Sequence, residues 1–141
     1  MKLNDKINSY SNYTLFNILS AGVILLIPIY FGIFSVNSEF PLNCIYYTKL
    51  GITCPSCGIS RSLSSLMHLN FMRSMHYNSN GVFIFTFFCI QFLMRIILII
   101  INTKLFNRKI IRIDFIFSIV LFFIGFGPLI IDWVQFWFEL F

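Results

Sequence analysis

Charge is what this chain most lacks. Only 11% of its 141 residues are Asp, Glu, Lys or Arg, against 58% that are hydrophobic. Soluble domains carry about 25% charged residues. A domain of this length buries only about 70% of the surface that its unfolded chain exposes, so one soluble core could not hide this much apolar side chain. Low charge also excludes a disordered chain, which needs low hydrophobicity and high net charge. Acidic residues number five and histidines two. No acid–base pair, phosphate-cradling glycine loop, internal repeat or low-complexity tract stands out. What is abundant is phenylalanine, with 19 copies, and the formal charge is +5. The basic residues flank apolar runs and form no basic, aromatic-interleaved groove, so they are read as membrane topology and not as nucleic-acid contact.

Three stretches are long enough to cross a bilayer. Leu15–Val36 has no charged residue, and as a helix it would cover about 33 Å at about 1.5 Å per residue, against a hydrocarbon core of about 30 Å. Pro28 is expected to kink it. This run exceeds a signal-peptide core and no small-x-small cleavage site follows, so it reads as a retained helix. The second span runs from about Gly81 to Ile101 and holds Gln91 and Arg95. The third runs from about Ile113 to Ile131, with Gly125-Phe126-Gly127-Pro128 expected to bend or loosen its last turns. The fold class that follows is an all-α integral membrane protein with three transmembrane helices, forming one domain over residues 1–141.

Orientation follows from the loops. Lys104, Arg108, Lys109 and Arg112 crowd the link between the second and third spans, and Lys2 and Lys6 precede the first. Both regions are assigned to the cytoplasm, which leaves residues 37–80 and the C-terminus outside, with Trp133 and Trp137 at the outer interface. Within the outer segment, Gly58–Leu69 reads as a short amphipathic helix. Ile59, Leu63, Leu66 and Met67 share its apolar face, and Ser60, Arg61, Ser64, Ser65 and His68 form the polar remainder. Asn70 is a fitting N-cap for a second helix, Phe71–Tyr77. Asn78-Ser79-Asn80-Gly81 then turns into the second span. This short hairpin either lies at the interface or dips into the membrane as a re-entrant element.

The chemistry concentrates in Cys54-Pro55-Ser56-Cys57-Gly58. Two cysteines three apart can close a disulfide with each other or grip one metal. Proline suits a first helical turn, which would place Cys54 near a helix N-terminus, where a thiolate is favoured. Arg61, one turn beyond Cys57, is a candidate to stabilise a thiolate or to pair with Glu39 or Asp132, and Ser65 and His68 continue that column. Cys44 can also pair with either motif cysteine. Candidate metal ligands are Cys54, Cys57, His68 and His76, although the histidine spacing falls outside common zinc patterns. Cys89 reads as packing. Arg95 is read as snorkelling toward the cytoplasmic headgroups or pairing with Asp114, with a buried polar site including Gln91 as the functional alternative.

The run Cys54-Pro55-Ser56-Cys57-Gly58-Ile59-Ser60-Arg61-Ser62 resembles the Cys-Pro-x-Cys-Gly-x-Thr-Arg-Ala signature of a domain-of-unknown-function family of small bacterial membrane proteins. The resemblance extends through the amphipathic helix, Asn70, His76-Tyr77-Asn78 and the second span. Ser56 stands where the family often has Gly, Ser60 where it has Thr, Leu69-Asn70 where it has Gly-Asp, and Ser79 where it has Pro. The resemblance implies a bacterial cytoplasmic-membrane location and no established activity or cofactor. The first functional reading is therefore a structural or partner-binding turn built on Cys54, Pro55, Cys57, Gly58 and Arg61, with the bilayer and a membrane-protein partner as its surroundings. The alternative is a membrane thiol–disulfide oxidoreductase. There Cys54 attacks, Cys57 resolves and Arg61 stabilises the thiolate, with electrons passing to a lipid-soluble carrier. A metal-binding module is the third.

Overall fold

A computed structural model describes residues 3–34, 45–102 and 108–140. It contains helices α1 (Leu3–Phe34), α2 (Ile45–Leu50), α3 (Ile59–Met67), α4 (Phe71–Tyr77), α5 (Asn80–Asn102) and α6 (Arg108–Leu140). Three of them carry stretches long and apolar enough to cross a membrane: Ser11–Ile33, Asn80–Ile100 and Lys109–Glu139. The three expected spans are therefore present, with the short helices between the first and second. Cys44, Glu39, Lys104 and the end of the first expected span at residues 35–36 lie outside the described residues.

Two long helices outrun their expected bounds. α1 begins well before Leu15, and α6 continues past Ile131 to Leu140. Pro128 lies inside α6, and the helix continues across Gly125–Pro128 instead of loosening there. In hydrocarbon an opened turn would leave carbonyls and amides without partners, so continued helix is the cheaper solution.

α5 is the middle member. It packs against both α1 and α6, whereas α1 and α6 do not pack backbone to backbone among the described residues. Gly125 lets α6 approach α5 closely, because a Cβ there would sit 2.7 Å from Cβ of Phe87. Around that point Phe87 meets Phe126 edge to face at 5.3 Å, and Phe122 stacks on Phe126 at 4.9 Å.

α3 rests on α1, α4 and α5. At Gly32 of α1 an added Cβ would lie 3.3 Å from Cβ of Met67, so the small residue lets α3 settle there. Asn70 caps α4 as its sequence suggests, its side chain accepting from the Arg73 N–H at 3.1 Å. The α3–α4 turn bends through Leu69, which holds φ at 58° and is 93% exposed.

The serines expected on the polar face of α3 do not all face outward. Ser64 and Ser65 are buried, as is Ser62, while Met67 is 37% exposed. Small side chains allow close helix contact, and a serine hydroxyl can return to its own backbone. Ser65 Oγ donates to the Arg61 carbonyl at 2.9 Å, so its burial leaves no orphaned donor.

Candidate functional site

The segment from Cys54 to Gly58 folds as a tight turn ahead of α3. The Cys57 N–H donates to the Cys54 carbonyl at 2.9 Å, and the Ser62 N–H donates to the Gly58 carbonyl at 2.8 Å. Pro55 takes the second turn position, where its fixed φ is an advantage. It thus precedes the helix and does not occupy its first turn. Of the two cysteines, Cys57 and not Cys54 lies nearer the α3 N-terminus. Gly58 is required for two reasons. Its φ is 85°, and a Cβ would lie 2.6 Å from the Tyr77 carbonyl oxygen.

The turn brings the two sulfurs to within 3.0 Å of each other. A disulfide needs about 2.05 Å, so closure is a movement of about 1 Å. The Cys54 N–H points at Cys57 Sγ at 3.3 Å, and Cys54 Sγ meets Ser56 Oγ at 3.3 Å. Cys54 is buried and Cys57 half-buried.

Asn78 latches this turn to the α4–α5 junction. Its Nδ2 donates to the carbonyls of Pro55 and Cys57, each at 2.9 Å, and its Oδ1 accepts the Asn80 N–H at 2.9 Å. Ser62 completes the joint, donating to the Asn78 carbonyl at 2.8 Å and meeting Ser74 Oγ at 2.8 Å. Both serines are fully buried. Gly81 makes room for them, since a Cβ there would fall on the Ser62 side chain. Asn80 reaches the third span, its Nδ2 donating to Asp132 Oδ2 at 2.6 Å. Beside the turn opens a cleft of about 440 Å³, whose walls include Cys54, Asn80, Asp132, Gln135, Phe136 and Glu139. Tyr46 of α2 packs edge to face on Trp133 and Phe136, at 6.0 and 5.6 Å.

The expected column of Cys57, Arg61, Ser65 and His68 does not form a working line. Arg61 is exposed, Ser65 is buried and bonded backward, and His68 directs Nδ1 to the Ser64 carbonyl at 2.9 Å. Arg61 makes no ion pair among the described residues, and Asp132 pairs with Asn80 instead. No group of three or more His, Cys, Asp or Glu side chains is gathered among the described residues. Cys54, Cys57, His68 and His76 therefore do not make a four-ligand site. Sequence reasoning missed the latch itself. Asn78 and Asn80 registered as turn residues, and Asn78 and Ser62 as part of the resemblance, but nothing pointed to their bonds, and Ser74 carried no signal beyond being small and polar.

A second polar cluster lies inside the spans. Arg95 is 7% exposed, so it does not snorkel, and its Nη1 donates to Asp114 Oδ2 at 2.8 Å and to Asn17 Oδ1 at 2.8 Å. Tyr13 donates to the same Asp114 oxygen at 2.9 Å, and Arg95 Nη2 reaches Ser118 at 3.2 Å. The expected Arg95–Asp114 pair is present. Gln91 is buried one turn away, but the cluster's bonds run to α1 and α6.

Over residues 44–92 the chain matches the family described as Protein of unknown function (DUF2752). The family resemblance read from the sequence holds over that segment. It takes in the cysteine turn, the α3–α4 hairpin, Asn78 and Asn80, and it ends before Arg95. No curated protein and no solved structure matches the chain.

Proposed function

We propose that this chain is a protein of the bacterial cytoplasmic membrane, with its N-terminus inside, whose outward-facing Cys54–Cys57 pair is a thiol–disulfide exchange centre. The observation that carries the reading is the approach of the two sulfurs to 3.0 Å, in a turn whose backbone is fastened independently by Asn78. A pair so positioned can alternate between dithiol and disulfide without dismantling the fold around it. Extracytoplasmic placement rests on the basic residues at the opposite helix ends.

The geometry favours Cys57 as the attacking sulfur. It is the more exposed of the two, it lies closer to the α3 N-terminus, and its sulfur accepts the Cys54 N–H. The Cys57 thiolate attacks one sulfur of a partner disulfide and releases the other as a thiolate. Cys54, deprotonated, then attacks Cys57 Sγ and releases the partner's remaining sulfur. Two electrons pass to the partner, and the Cys54–Cys57 disulfide remains. Run in reverse, the same steps oxidise a partner dithiol.

Membranes carrying Cys54→Ser test this directly. The expected outcome is a disulfide-linked adduct through Cys57 that reductant releases, with a membrane-impermeant maleimide reaching Cys57 in intact cells. Absence of any adduct, or protection of Cys57 from the impermeant reagent, contradicts the reading.

The second reading, a purely structural or partner-binding turn, draws on the Asn78 latch, which grips carbonyls and not sulfurs. Under it, Cys54→Ser/Cys57→Ser loses fold or partner recovery while no adduct forms in either single variant.

A further inference from the structure

Asp132 is tied to the cysteine turn through two asparagines. The carboxylate accepts the Asn80 side-chain amide at 2.6 Å, and Asn80 is 5% exposed. The Asn80 backbone N–H donates to Asn78 Oδ1 at 2.9 Å, and Asn78 Nδ2 donates to the carbonyls on both sides of the turn. Each link restricts the next. A carboxylate only accepts, so the amide of Asn80 must present nitrogen to it. That holds the first residue of α5 in place, and its N–H, which only donates, claims Asn78 Oδ1. The Asn78 amide nitrogen is then left facing Pro55 and Cys57. The α3–α4 hairpin does not pack on α6, so this chain of bonds is a route by which the third span acts on the sulfurs.

We infer that Asp132 is a positioning residue for the Cys54–Cys57 pair, acting through Asn80 and Asn78 to keep the sulfurs at closing distance. The inference rests on the thiol-exchange reading. It adds to that reading a residue outside the segment that matches the family.

The test is a redox titration of the full chain in lipid nanodiscs against glutathione buffers, in a Cys44→Ser/Cys89→Ser background, with thiols counted by alkylation and mass spectrometry. Asp132→Leu removes the acceptor. It is expected to lower the equilibrium constant for closing the disulfide about tenfold, a rise of about 30 mV in midpoint potential. Asp132→Asn keeps an acceptor oxygen and stays within about twofold of the parent, as does Glu139→Gln, which removes a charge from the same cleft without touching Asn80. Asn80→Ala shifts the constant as Asp132→Leu does, and combining the two shifts it no further. If Asp132→Leu fails to fold, Asn80→Ala carries the expected shift alone.

An unchanged constant in Asp132→Leu or in Asn80→Ala overturns the inference. An equal shift in Asp132→Asn and Glu139→Gln also overturns it, because the effect would then be charge and not position. If the parent pair closes at no potential, it is the thiol-exchange reading that fails. If it closes but ignores Asp132, only the positioning role fails.

Discussion

Two polar networks hold this apolar chain together, and they are built on opposite principles. The joint between the cysteine turn and the α4–α5 junction uses neutral amides and hydroxyls, and both polar atoms of the Asn78 side chain are bonded. The cluster inside the spans uses a full ion pair, Arg95–Asp114, and leaves Asn17 Nδ2 and Arg95 Nε buried without a partner. The neutral joint fastens short helices that could not hold themselves. The charged cluster fastens long helices that need no help to stay helical, and its bonds join α1 to α6, whose backbones do not pack against each other among the described residues. A neutral network loses its parts gradually. A buried ion pair is nearly all or none, because one surviving partner becomes an uncompensated charge.

The largest expected effect breaks the charged side of this comparison. Asp114→Leu strands the Arg95 guanidinium, and unfolding in mixed detergent micelles is expected to show a loss of about 3–5 kcal/mol. Adding Arg95→Met is expected to recover most of that loss, since the stranded charge and not the missing bond is the main cost. A double variant no more stable than Asp114→Leu would show that the pair itself is what holds the helices.

The neutral side responds in smaller steps. Gly58→Ala forces a Cβ against the Tyr77 carbonyl at a left-handed position and is expected to cost about 3 kcal/mol in the same assay. Asn78→Ala unfastens two turn carbonyls and one helix N–H, and is expected to cost about 2 kcal/mol. It should also raise proteolysis within residues 51–58 before it affects the spans. The smallest effect is a gain. Leu69 holds a left-handed φ with its side chain 93% exposed, so Leu69→Gly is expected to stabilise the hairpin by about 1 kcal/mol.

How much of this was legible depends on the range of the interaction. The spans show in the sequence because hydrophobic length is a local property. So does α4, where Asn70 announces the cap that the structure contains. Leu69 stood out as a departure, since the resemblance implies Gly at its place, and its φ of 58° is one that Gly adopts without strain. Arg95–Asp114 was legible because two lone charges in neighbouring spans have few alternatives. Tyr13, Asn17 and Ser118 were not, because only the helix arrangement brings them to that pair. The buried serines of α3 misled by composition. A hydroxyl that bonds its own helix, or its twin across the hairpin, passes as apolar in a tight contact. Arg61 misled by spacing, since one helical turn places it beyond Cys57 only if the helix already includes Cys57, and α3 starts at Ile59.

The most direct measurement uses purified, reduced protein in nanodiscs mixed with glutathione disulfide at neutral pH and read by intact mass. In the Cys44→Ser/Cys89→Ser background the chain is expected to lose two hydrogens as Cys54 and Cys57 join. With Cys54→Ser added, the reaction is expected to stop with one glutathione carried on Cys57. Persistence of both thiols, or glutathione lodged on Cys54 in preference to Cys57 when each is left alone, would contradict it.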